Sequence, residues 1–263
     1  MNRHRVSSRQ ISRQQVSERQ IGRKSSPHQI NGTIATRCRR QVAKATREIA
    51  PTLLDLCDRQ TLLRHQIRAH AQQGQYADAI VLCNLLVSSD PQNASNYNNR
   101  GLIHFQSGQL TWALTDYNHA IRLNPGLAKV YNNRANCYAA LGRLEAAIAD
   151  YDTAIDLDPS HLHARLNQGI TFRDLGLYDR ALESFELALQ VGQLLQTAGE
   201  LIGHLHAEQG RTHHLRGDWN CAIASYRRAL ALLSTNESAN TSTKRLHRQV
   251  TDWLEGLFSR DSA

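Results

Sequence analysis

No apolar run in this 263-residue chain approaches the roughly 20 residues that a bilayer-spanning helix needs. The first residues carry charge but no apolar block of about 7–15 residues behind it, so a secretory leader is not expected. Aromatic residues make up 6% of the chain and there are five prolines, while alanine and leucine recur throughout, a balance that favours helix over sheet. The five cysteines (Cys38, Cys57, Cys83, Cys137 and Cys221) are odd in number, far apart and form no C-x-x-C pair. That argues against a disulfide framework or a zinc site, and for a reducing, cytoplasmic setting. Cys137 and Cys221 fall inside helical patterns, where a thiol acts as a small hydrophobe. Catalytic signatures are missing as well: there is no G-x-x-x-x-G-K-[ST], no G-x-S-x-G and no H-E-x-x-H. Thirteen histidines raise a metal reading through His161/His163, His204/His206 and His213/His214, but residues one or two apart on a helix point to different sides. Neither an enzyme nor a metal or cofactor site is expected.

Acidic residues are nearly absent from the start of the chain. Residues 1–50 hold twelve Lys/Arg against Glu18 and Glu48, a net +10, whereas the remaining 19 basic and 21 acidic residues sum to −2. The first 30 residues repeat a five-residue theme (Val6-Ser7-Ser8-Arg9-Gln10, Ile11-Ser12-Arg13-Gln14-Gln15, Val16-Ser17-Glu18-Arg19-Gln20). That period fits neither helix nor strand, so residues 1–33 are predicted to be a disordered basic tail. In residues 34–50, Ile34, Cys38, Val42, Ala45 and Ile49 share one helical face, with basic residues on the rest. Such a basic amphipathic helix suits nucleic acid, an anionic membrane or an acidic partner, or it packs its thin apolar face on the next element. An Arg- and Ser-rich, acid-poor start also fits an organelle transit peptide.

What the remainder has is a period. Gly101, Ala135 and Gly169 are 34 residues apart, as are Ala79, Ala113, Ala147 and Ala181, the rings Tyr117, Tyr151 and Phe185, and Gly74, Gly108, Gly142 and Gly176. Pro91, Pro125 and Pro159 keep the same step, each after Asp or Asn. A fifth copy (Gly210, Gly217, Ala222, Tyr226, Ala229) follows a step of 41, a surplus of seven residues or about two helical turns, which could lengthen one helix without rotating its face. Each unit reads as two helices, A and B. Small residues allow their close approach, a glycine reverses the chain between them, and proline starts the next unit. His70, His104 and His213 stand where other copies use Tyr138 or Phe172, as ring substitutes in packing. One pair cannot cover its own apolar face, so the units must stack and a terminal helix must close the stack. Leu246, Val250, Trp253, Leu254 and Leu257 form such a face within 241–259.

These residues resemble the tetratricopeptide repeat family, best in the copies Tyr97-Asn98-Asn99-Arg100-Gly101 to Asn124-Pro125 and Tyr131-Asn132-Asn133-Arg134-Ala135 to Asp158-Pro159. The resemblance implies an all-α, right-handed α-α superhelix of about five helix pairs over 51–233 (60–93, 94–127, 128–161, 162–195 and 203–233), with a capping helix at 241–259. The end copies depart: Ile67, Cys83 and Leu86 stand where the family prefers small, aromatic and small residues, and Gln193 replaces a proline. The implied function is that of a scaffold, adaptor or assembly factor gripping an extended peptide of a partner protein along the A helices. Asn99, Asn133 and Asn167 recur as in the asparagine ladder of O-GlcNAc transferases, where an amide both donates to and accepts from a peptide backbone. Alanine at these three positions is expected to leave folding intact. Arg64, Arg68, Asn99, Lys129 and Asn133 occupy the positions with which co-chaperones clamp a terminal carboxylate; Asn99 and Lys129 match, Arg64 keeps the charge, and Arg68 and Asn133 depart. Leu102, Phe105 and Ile170 would add apolar contacts. The expected partner is a protein or peptide, with an acidic segment favoured by the cations. Nucleic acid or an anionic membrane remains the alternative through residues 1–50.

Overall fold

The computed structural model describes residues 59–197, 199–233 and 241–260, and every regular element among them is a helix. The basic tail (1–33) and basic amphipathic helix (34–50) expected from sequence lie outside the described residues, as does the segment 51–58. Helix α1 covers 59–72, followed by α2 (Tyr76–Ser89), α3 (Ala94–Gln106), α4 (Leu110–Leu123), α5 (Ala128–Ala140) and α6 (Leu144–Leu157). Then come α7 (Leu162–Asp174), α8 (Tyr178–Leu194), α9 (Gly199–Arg216), α10 (Trp219–Leu232) and α11 (Thr241–Arg260). Odd-numbered helices α1 to α9 are the A helices and even-numbered α2 to α10 the B helices. Each packs on its neighbours in the chain to form an all-α superhelix of stacked pairs.

Steric fit within each pair explains the period. The B-helix alanines Ala79, Ala113, Ala147, Ala181 and Ala222 are fully buried, as are the rings of Tyr117, Phe185 and Tyr226 one turn later. Those rings press against helix A where its residue is small: a Cβ on Gly101 would come within 2.7 Å of Tyr117 Cε1, and one on Gly210 within 2.6 Å of Tyr226 Cδ1. In the first pair the sizes are exchanged. Ile67 stands on α1 where later copies have glycine or alanine, and Cys83 stands on α2 where they have a ring, both buried in one cluster. The departures seen in sequence therefore conserve volume, the kind of exchange a packed core tolerates.

The corners follow from backbone chemistry. At Gly108 and Gly142 a Cβ would meet nothing, so glycine is required there by its φ of +78° and +72° and not by lack of room. The N–H of the next residue then closes the A helix, Gln109 donating to His104 O at 2.8 Å and Arg143 to Tyr138 O at 2.9 Å. After the B helix, Asp158 Oδ1 accepts from Ser160 N–H and Asn124 Oδ1 from Gly126 N–H, each at 3.0 Å, around a proline that cannot extend the helix.

The seven-residue surplus is divided between two helices, where the sequence allowed for one lengthened helix. Helix α8 has 17 residues against 14 in α2, α4 and α6, and α9 has 18 against 13 in α3, α5 and α7. With Gln193 in place of proline, α8 runs on to Leu194, and Gln196 makes the turn in the left-handed region (φ +50°). Helix α11 packs on α9 and α10: Val250 and Leu257 are buried, and Trp253 sits 5.8 Å from the Tyr226 ring with the Arg211 guanidinium 5.0 Å from its face.

Candidate interaction surface

Successive A helices touch one another directly, α3 with α5, α5 with α7 and α7 with α9, with no comparable contact between successive B helices. The stack therefore curves with the A helices on the inside. Two hydrogen-bonded systems hold this inner layer in register.

The first joins the helices of a pair to the pair before. Arg100 donates to both carboxylate oxygens of Asp116 (2.9 and 2.6 Å) and to Asn84 Oδ1 on the preceding B helix (2.9 Å). Arg134 repeats this with Asp150 (2.7 Å twice) and Asn118 (2.7 Å). The bond to each aspartate raises the arginine's pKa further, and bidentate geometry makes such pairs the stronger kind. In the fourth pair the same places hold Gln168, Ser184 and Asp152: Gln168 donates to Asp152 at 2.6 Å and accepts from Ser184 at 3.2 Å. The sequence reading missed this staple, although Arg100/Arg134 and Asp116/Asp150 both recur at the 34-residue step.

The second system contains the asparagines. Asn133 Nδ2 donates to Asn98 Oδ1 at 3.0 Å, and Asn167 Nδ2 donates to Asn132 Oδ1 (3.2 Å) and Asn136 Oδ1 (3.0 Å). Both amides are half-buried and bridge one repeat to the one before. In the fifth pair Glu208 takes the equivalent place, two residues before Gly210 as Asn167 is before Gly169. It pairs with Arg173 of α7, and His204 Nε2 lies 3.6 Å away. Burial pushes the Glu208 carboxyl up, but the bond to His204 and the charge of Arg173 outweigh it, so its pKa lies below the ordinary value.

Asn99 is different. It lines a groove of about 540 Å³ between α1 and α3 together with Arg64, Arg68 and Leu102, so four of the expected site residues are brought together. Buried Ile67 and Ile103 form its floor, and neither arginine has an acidic partner among the described residues. The other five lie elsewhere. Asn133 and Asn167 are tied as described, and Lys129 is exposed on the first turn of α5, outside the groove wall. Phe105 packs on the core around Tyr117, and Ile170 packs on the core around Phe185.

Charge is partitioned between the layers. Helices α1, α3, α5 and α7 carry eight Lys/Arg (Arg59, Arg64, Arg68, Arg100, Lys129, Arg134, Arg165, Arg173) and one acid, Asp174. Helices α2, α4, α6 and α8 carry nine acids and two arginines.

Sequence profiles of the tetratricopeptide repeat match residues 128–161 and 205–239, and a TPR repeat profile matches residues 101–142. Residues 101–161 and 205–239 are tetratricopeptide repeats. Among solved structures, the tetratricopeptide stack is similar to one described as the MamA protein, with a TM-score of 0.53, 18% identity, and coverage of 66% of this chain and 91% of that one. It is also similar to MamA, residue 41 to the end, from Desulfovibrio magneticus RS-1, with a TM-score of 0.55, 13% identity, and coverage of 68% and 97%. Identities this low establish the fold alone. Comparison with curated protein sequences found no match. The tetratricopeptide repeats make the chain a protein-interaction scaffold. No helix among the described residues is long and apolar enough to cross a membrane.

The remaining reactive side chains are accounted for by packing. Burial pushes the Cys83 thiol up to about 12 and raises that of Cys137, as expected of buried thiols. Cys221, expected inside a helix face, is on α10 but exposed. His70 and His104 do more than substitute for rings: each Nδ1 meets a glutamine beyond the turn, Gln75 Oε1 at 2.6 Å and Gln109 Oε1 at 2.8 Å.

Proposed function

We propose that the chain acts as an adaptor or assembly factor that binds an extended segment of a partner protein along its A helices. The observation that carries this reading is the groove between α1 and α3, where Arg64, Arg68 and Asn99 meet solvent beside Leu102 over an apolar floor. Polar groups with no partner among the described residues, next to apolar surface, are what a peptide needs, because its backbone must be hydrogen-bonded while its side chains are buried. The test is site-specific photo-crosslinking in cells from which the partner is then identified. A photoreactive residue at Leu102 should capture a partner protein, and one at Thr115, exposed on α4 of the B layer, should not. Equal capture at both positions, or capture at Thr115 alone, would place the contact outside the groove and overturn the reading.

A second reading rests on the charge of residues 1–50, +10 against −2 for the rest. In it the tail tethers the scaffold to nucleic acid or an anionic membrane. Such binding should weaken steeply with added salt, because each phosphate contact releases counterions, and it should vanish when residues 1–50 are removed. RNA or vesicle binding that survives their removal counts against the tether.

A further inference from the structure

We infer that the segment held in the α1–α3 groove is an internal stretch of a partner chain in which acidic residues alternate with large apolar ones. This rests on the groove reading and narrows its ligand.

The charge comes first. In the first four pairs the layer that lines the groove carries eight cations to one acid, and the layer behind it nine acids to two arginines. Within the A layer, Arg100, Arg134 and Arg173 are already engaged by Asp116, Asp150 and Glu208, whereas Arg64 and Arg68 meet no carboxylate among the described residues. An anion arriving at these two displaces no carboxylate of the described residues.

The geometry then selects the kind of anion. Arg64 and Arg68 are one turn apart on the same wall, about 6 Å along the helix. Alternate side chains of an extended chain are spaced about 6.6 Å and point the same way. A segment lying between α1 and α3 would thus turn every second side chain towards the arginines of α1. The others would face Leu102 on α3, with Asn99 beside it for the backbone. A chain terminus is disfavoured by the same residues: Lys129 is outside the groove wall and the Asn133 amide is committed to Asn98, so a terminal carboxylate meets only three of the five clamp positions. Single-stranded nucleic acid would need exposed rings on which to stack bases, and the one ring in the wall is the half-buried Tyr76.

The probe is a fluorescent peptide of alternating Glu and Leu, blocked at both ends, titrated against the full chain by anisotropy. Three comparisons accompany it: the same peptide with Gln for Glu, the same peptide with a free carboxyl end, and a short single-stranded RNA of equal charge. The protein variants are Arg64→Glu with Arg68→Glu, and a charge-matched control, Arg122→Glu with Arg227→Glu, on α4 and α10. Circular dichroism checks the folding of each. The blocked acidic peptide should bind about tenfold or more tightly than the Gln peptide, and the groove variant should lose about that factor while the control loses little. The free carboxyl end should change affinity less than twofold, and RNA binding should not depend on Arg64 and Arg68. Three results would each overturn the inference: equal losses in both variants, a Gln peptide that binds as well, or a strong gain from the free end. The same holds for RNA that needs the two arginines, or for no binding of the acidic peptide at all. None of these touches the groove reading, which stands or falls on capture at Leu102.

Discussion

Tyr117 and Tyr151 stand at the same place one repeat apart, equally buried, yet their hydroxyls are treated differently. Tyr151 donates to Asn136 Oδ1 at 2.6 Å, whereas the Tyr117 hydroxyl is buried with no hydrogen-bond partner among the described residues, and the fourth copy dispenses with the hydroxyl by using Phe185. Tyr117→Phe should therefore be neutral or stabilising by up to about 1 kcal/mol, while Tyr151→Phe should cost about 1 kcal/mol and leave a gap in the Asn136–Asn167 network. Urea unfolding of the two variants would test this, and equal effects would refute it. The asparagine row is a similar lesson. Its recurrence was legible because the spacing is strict, but whether an amide faces solvent or the previous repeat depends on how the repeats rotate against one another. Alanine at Asn99 should leave stability nearly unchanged. At Asn133 or Asn167 it should cost roughly 0.5–1.5 kcal/mol through the lost bridge, contrary to the expectation that all three are silent.

Helices gain most of their stability here from one another, which makes the end of the stack a sensitive element. Helix α11 covers Tyr226, Ala229 and Leu233 with Val250, Leu257 and Trp253. Ending the chain at residue 240 should lower the melting temperature and promote self-association, since it bares a face equal to two or three large side chains at about 1.5–3 kcal/mol each. Calorimetry with light scattering would detect both, and an unchanged, monodisperse protein would show α11 to be dispensable. The cap could be read from its apolar face, because a 3.6-residue period is a local property. The Arg100–Asp116 and Arg134–Asp150 staples escaped notice because their partners sit 16 residues apart on different helices, a spacing that acquires meaning only once the pair is folded. For the same reason the 41-residue step revealed how much was inserted but not where. How α8 and α9 share the extra turns depends on where each meets its neighbours.

At the scale of the whole stack, the partition of charge is hidden in the sequence total. Residues 51–263 sum to −2, a value that conceals, in the first four pairs, an inner layer of cations and an outer layer of acids until the helices are assigned to faces. The histidines add a pH dependence whose sign the structure determines. Burial lowers the pKa of His161, His206 and His213 below 6.5, so the folded chain binds fewer protons than the unfolded one in mildly acid solution. A depressed folded pKa means a contribution that is complete above the unfolded value and is lost as the pH falls through the folded one. Glu208 obeys the same rule, but its window opens only below the ordinary glutamate value of 4.5, so the interval from pH 7.5 to 5 isolates the histidines. The melting temperature should fall steadily across that interval. Replacing His206, whose Nδ1 lies 3.3 Å from Gln209 Oε1, with Gln should flatten part of the slope while leaving the value at pH 7.5 little changed. A melting temperature that rises on acidification would refute this sign and remove the three buried histidines as its source.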